Sequence, residues 1–88
     1  MNLYLDTMKE TATEEVELVK RVLEKTPNAT FSYYSECDEI RYKLDGIARV
    51  AAHDDRITIE QFEEILDAKW NYYDTARKEL GRLLLEVI

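Results

Sequence analysis

Residues 57–88 read ITIEQFEEILDAKWNYYDTARKELGRLLLEVI, and this stretch decides the fold. Thr58 with Gln61 three residues on is the pattern of a capping box, in which each side chain satisfies an orphan N–H of a helix start. Ile57 and Phe62 flank it as a hydrophobic staple. Phe62, Leu66, Lys69, Tyr73, Ala76, Leu80, Leu83 and Val87 then recur at steps of three and four, with Ile65 and Leu84 beside them. That period is one face of an α-helix. Lys69 is the misfit on the face. Its stem is expected to lie over apolar neighbours with the ammonium in water. A helix of some thirty residues spans roughly 45 Å.

The two preceding segments are shorter, at roughly 33–36 Å each if helical. In the second, Tyr33, Cys37, Ile40, Leu44, Ile47 and Ala51 step by alternating fours and threes, a heptad seam. Gly46 lies off that seam. In the first, Leu5, Met8, Ala12, Val16, Val19, Val22 and Leu23 form the apolar face. Thr11-Ala12-Thr13 is locally weak for a helix because Thr is β-branched. Thr11 with Glu14 also fits a capping box, so either the first helix is continuous or it starts near Ala12 after a loosely docked arm. Pro27 disfavours helical geometry at Thr26 and supplies the stop. Helices are expected over about residues 2–25, 30–53 and 58–87. The predicted fold is all-α: one domain, a small up-down-up three-helix bundle with a long C-terminal helix.

Composition agrees. Of 88 residues, 35% are charged and 45% hydrophobic, which suits neither a disordered tail nor a membrane protein. Two Gly and one Pro are too few for the many turns of an all-β chain. No apolar run approaches the roughly 18 residues that cross a bilayer. The first residues, Met1-Asn2-Leu3-Tyr4-Leu5-Asp6, lack the basic and apolar regions of a signal peptide. The lone Cys37 forms no internal disulfide, so a reducing cytoplasm is the expected compartment. The sequon Asn28-Ala29-Thr30 is then a chance match. Nineteen acidic against twelve basic residues give a net charge of −7. Such a surface repels nucleic acid and anionic lipid and favours basic protein partners.

Charge is not spread evenly. Residues 54–67 hold six acids and one base, Arg56. On the third helix, Glu60, Glu63, Glu64, Asp67 and Asp74 fall within an arc of about 100° opposite the apolar face. The bland reading is a solvated face; the functional one is a ridge that docks a basic partner. Trp70 sits at the border of the apolar face beside Arg77 and Gly81, with Tyr72 nearby. Tryptophan packs its ring while keeping its N–H wet, and it is common at binding hot spots. Gly81 leaves room there for another helix or a partner. The predicted partner-binding set is Glu60, Glu63, Glu64, Asp67, Trp70, Asp74 and Arg77. The apolar end Leu83-Leu84-Leu85-Glu86-Val87-Ile88 is expected to be covered by the start of the first helix or by a second copy. Leu80, Leu84, Val87 and Ile88 would form that oligomer interface. Among the six tyrosines, Tyr42 points away from the second seam.

Catalytic patterns are weak. His53-Asp54-Asp55, with Glu60, offers too few converging ligands for a metal site. An EF-hand register around Ile57 puts Val50 and Ala52 at the first and third ligand positions, so the ligand set is missing. Glu36-x-x-Glu39 and Glu64-x-x-Asp67 superficially resemble the magnesium-holding pairs of all-α nucleotide pyrophosphohydrolases. Here Glu36, Glu39 and Glu64 point away from the apolar seams, which leaves a metal-dependent nucleotide hydrolase a remote alternative. Phosphate-loop, dinucleotide, zinc-protease and di-iron motifs do not occur. Cys37 lies on a core seam, as a buried thiol rather than a nucleophile. The expected protein is therefore a non-enzymatic acidic binding module without cofactor or metal. It would be a small inhibitor or adaptor of a basic, nucleic-acid-handling protein, with a self-assembling homodimer as the rival reading.

Overall fold

The computed structural model describes residues 3–26 and 28–87, with only the backbone of Val87. Three helices follow one another: α1 (Leu3–Lys25), α2 (Tyr33–Ala52) and α3 (Ile59–Val87). There is no strand among the described residues, and each helix packs on the other two. This is the predicted all-α three-helix bundle. The molecule is a rod of 48 × 19 × 17 Å. No helix among the described residues is long and apolar enough to cross a membrane.

The helix starts carry their own chemistry. At α3 the capping box forms: Thr58 N–H donates to Gln61 Oε1 at 2.9 Å, and Gln61 N–H donates to Thr58 Oγ1 at 3.1 Å. At α2 the cap is Ser32, whose Oγ accepts from Ser35 N–H at 3.3 Å. The expected start near residue 30 is therefore two or three residues early. Phe31 lies outside the helix and packs on the core from the connection. That connection turns at Asn28, whose φ of 69° is left-handed. Asparagine tolerates this conformation better than most residues. α1 is continuous through Thr11 and Thr13. Met8 and Ala12 are buried, so tertiary packing overrides the weak local propensity.

Met8, Ala12, Val16 and Val19 of α1, Cys37, Ile40, Leu44, Ala48 and Ala51 of α2, and Ile65, Ala76, Leu80 and Leu83 of α3 form one core. Two expectations about it fail. Val22 is 53% exposed rather than buried. In the first half of α3 the fully buried residue is Ile65, while Phe62, Leu66 and Tyr73 pack at the edge of the core. The apolar stripe of α3 is thus rotated slightly in its first half, towards the residue expected to flank it, while Ala76, Leu80 and Leu83 are buried as predicted.

The ends of the rod are fixed by named contacts. Tyr4 Oη donates to Asp54 Oδ2 at 2.6 Å, so the start of α1 meets the α2–α3 loop. At the other end, a Cβ added to Gly81 would lie 3.8 Å from the Tyr33 ring. The start of α1 and the end of α3 are therefore at opposite ends, as up-down-up topology requires. Of the two covers expected for the C-terminal apolar end, the start of α1 is not the one, because it lies at the far end of the rod. Of the two neighbours expected at Gly81, another helix or a partner, the structure places the Tyr33 ring of α2 there.

Candidate functional site

α3 presents its first half to solvent. Glu60, Glu63, Glu64 and Asp67 are all exposed, and none makes an ion pair among the described residues. Their spacing of three and four residues places them about 5–6 Å apart on neighbouring turns. Asp74 and Arg77, also predicted for this face, pair with each other at 3.3 Å. The predicted set therefore divides. Four carboxylates lack a counter-charge, and the last two residues largely cancel.

Trp70 stands beside the unpaired group. It is 53% exposed. Its ring meets Tyr73 edge-on, with centroids 6.2 Å apart and planes at 83°. The Lys69 ammonium lies 4.6 Å from the Trp70 ring centroid, within cation–π range. That ammonium is in turn held at 2.9 Å by Asp45 of α2. Lys69 is the residue predicted to reach water. Its side chain is instead only 14% exposed, and its charge ends on a carboxylate across the α2–α3 seam. Asp45–Lys69–Trp70–Tyr73 thus braces an exposed indole. The sequence offered one hint of this brace, a lysine on an apolar face, which needs either water or a partner. The partner on another helix could not be read from α3 alone. Tyr72, grouped with Trp70 by sequence, lies elsewhere. It lines a groove of about 310 Å³ between α1 and α3, with Ala12, Val16 and Ala76 among its other walls.

The other candidates have structural roles. Asp54 Oδ1 accepts from the Arg56 backbone N–H at 3.0 Å and from Arg56 Nε at 2.9 Å. Its Oδ2 accepts from Arg56 Nη2 at 2.9 Å and from Tyr4 Oη. The Arg56 guanidinium first, then the Tyr4 hydroxyl, hold the Asp54 carboxyl well below the usual carboxylate range. The same bond pushes the Tyr4 phenol up. Asp54 is the latch between the loop and α1. The His53-Asp54-Asp55 loop seen in sequence gave no sign of this distant tyrosine. No group of three or more metal-ligating His, Cys, Asp or Glu side chains forms among the described residues. Burial pushes the Cys37 thiol up, although Tyr33 works against it through a hydrogen bond. A thiol of that kind is a poor nucleophile.

At the C-terminal end, Leu80 is fully buried in its own chain, so it is not free to meet a second copy. Leu84 is half-buried, and the exposed apolar residue there is Leu85, at 75%, which was not among those predicted. The side chain of Val87 and all of Ile88 lie outside the described residues. The carboxylates of α3 at this end are paired. Lys20 of α1 reaches Glu79 at 3.3 Å, and Arg82 pairs with both Glu79 and Glu86. Arg82 first, with Lys20 adding to it, lowers the Glu79 carboxyl to about 2.

No protein family, curated protein or solved structure matches the chain.

Proposed function

We propose that this chain is a non-enzymatic protein-binding module that docks a basic surface through the first half of α3. Glu60, Glu63, Glu64 and Asp67 supply the attraction, and Trp70 supplies the apolar anchor. The observation that carries this reading is their juxtaposition. Four exposed carboxylates without an ion pair among the described residues adjoin a half-exposed tryptophan that Lys69 and Tyr73 contact. Unpaired surface carboxylates of one sign steer an oppositely charged partner and raise its association rate. A large ring fixed before binding loses little entropy on docking, which is what an affinity hot spot requires. Basic surfaces of this kind are common on nucleic-acid-handling proteins, and a cytoplasmic inhibitor or adaptor of such a protein fits the charge. That partner class is analogy from charge alone.

Of the four residues expected in the interface of the self-assembling rival, Leu80 is buried within one chain. The test is capture from the native cell with the wild-type chain and with Glu60→Lys, Glu64→Lys, Asp67→Lys combined. The wild type is expected to retain basic proteins that salt releases, and the variant to lose them. Identical profiles at low salt would remove the acidic face from the account. Trp70→Ala separates anchor from charge: it should speed dissociation while leaving the salt dependence of association intact.

A further inference from the structure

A second groove, of about 330 Å³, lies between α1 and the connection into α2. Leu18, Val22, Leu23 and Phe31 line its apolar part, and its charged lining residues among those described are Glu15 and Glu36. Leu18 and Val22 are 49% and 53% exposed, one turn apart on α1. Single exposed aliphatic residues are ordinary. These two are adjacent, sit on a concave surface, and share its lining with the Glu36 carboxylate. Lys43 is the ammonium that pairs with both Glu15 and Glu39. Glu36 makes no ion pair among the described residues. Burial, then Glu15 and Glu39, push its carboxyl up, against a smaller opposing pull from Lys43.

We propose that this groove docks an amphipathic basic helix of a partner protein, with an aliphatic side chain between Leu18 and Val22 and a Lys or Arg one turn away against Glu36. The charge of the groove selects this occupant. An acidic or neutral segment would cover Glu36 without supplying a cation. A second copy in an isologous pair would bring the same unpaired carboxylate from each side. The ridge of Leu18 and Val22, four residues apart, is the relief into which a helix side chain packs. The proposal does not depend on the acidic face of α3, which is built from other residues.

The full chain, labelled with nitrogen-15, is titrated with a blocked amphipathic leucine–lysine helical peptide. Controls are the leucine–glutamate peptide of the same pattern and the alanine–lysine peptide of the same charge. Amide signals of Leu18, Val22, Phe31 and Glu36 are expected to shift with the leucine–lysine peptide and with neither control. Val22→Asp, at a surface position, should weaken those shifts by about tenfold or more, the loss expected of a hot-spot contact. Glu36→Gln should weaken them by a smaller factor. Combined Glu60→Lys, Glu64→Lys and Asp67→Lys should leave them in place, which separates this groove from the face of α3. Shifts confined to α3, equal binding of the alanine–lysine peptide, or binding untouched by Val22→Asp would each overturn the proposal. So would concentration-dependent shifts at these residues without peptide, since they would make a second copy the occupant.

Discussion

The two halves of α3 share one backbone and one core, yet their surfaces follow opposite rules. From Asp74 onward every acid on the helix has a base: Asp74 with Arg77, Glu79 with Lys20 and Arg82, Glu86 with Arg82. Between Glu60 and Asp67 no acid does, among the described residues. The second half shows that this helix can balance its charge at spacings of three and four. The surplus in the first half is therefore not a requirement of helix formation. The positive end of the helix dipole favours Glu60 in the first turn, but the effect has faded by Asp67. What remains is a group of carboxylates without an ion pair among the described residues, beside a braced tryptophan.

The largest expected effect breaks the end of the second half. Leu80→Ala should cost about 2–5 kcal/mol, the usual loss for a fully buried leucine. Leu85→Ala, on the next turn but 75% exposed, should stay within about 0.5 kcal/mol. Urea denaturation of both variants measures the contrast. Comparable losses would mean that Leu85 is covered in solution, which would restore the assembling role of this end.

Next comes the brace between the halves. Lys69→Met keeps the stem and removes the ammonium, leaving Asp45 without its partner. We expect a loss of about 1–2 kcal/mol, because this pair is partly buried and joins two helices. The emission of Trp70, the chain's sole tryptophan, should change as the cation leaves its ring. An unchanged spectrum would show that Lys69 does not hold the indole.

Periodicity and caps made the fold legible, because both are local. The Thr58–Gln61 box and the three apolar stripes needed no knowledge of the partner helix. Failures arose where a second element decides. Val22 fits the period of α1, but no neighbouring helix covers it. The fate of Lys69 depends on Asp45, twenty-four residues away. Tyr4 and Asp54 meet across fifty residues. The candidate site was half legible: exposure of the acids and Trp70 follows from the helix wheel, whereas pairing within the set does not. The Arg77–Asp74 bond was available as a spacing of three and was read only as shared membership of one face.

Acid should separate the paired from the unpaired regions. The Glu79 carboxyl falls from its ordinary 4.5 to about 2 on folding, and Asp54 is lowered too. A carboxylate lowered in the fold stabilises it above the unfolded value, and this contribution is lost as pH falls through the folded one. Glu36 is raised and acts in the opposite sense, since its protonation favours the folded chain. With two lowered groups against one raised, stability should fall between about pH 4.5 and about pH 2. Glu79→Gln should flatten that slope, and Asp54→Asn should flatten it further. Denaturation midpoints measured across this range test both. A slope unchanged in Glu79→Gln would show that the Lys20–Glu79–Arg82 cluster is solvated and weak.

The smallest expected effect is the most informative about function. Glu60→Gln, Glu64→Gln and Asp67→Asn together remove three charges that make no ion pair among the described residues. Losing the first-turn charge at Glu60 costs roughly 0.3–1 kcal/mol through the helix dipole. Relieving like charges at Glu60 and Glu64, and at Glu63 and Asp67, returns a few tenths of a kcal/mol for each pair. The two nearly cancel, so folding stability should change by less than about 1 kcal/mol, in either direction. Thermal or urea denaturation at low salt reads this directly. A large loss would make the acids structural and remove the reason to seek a partner for them. A negligible change, with binding lost in the same protein, would place their contribution in recognition rather than in the fold.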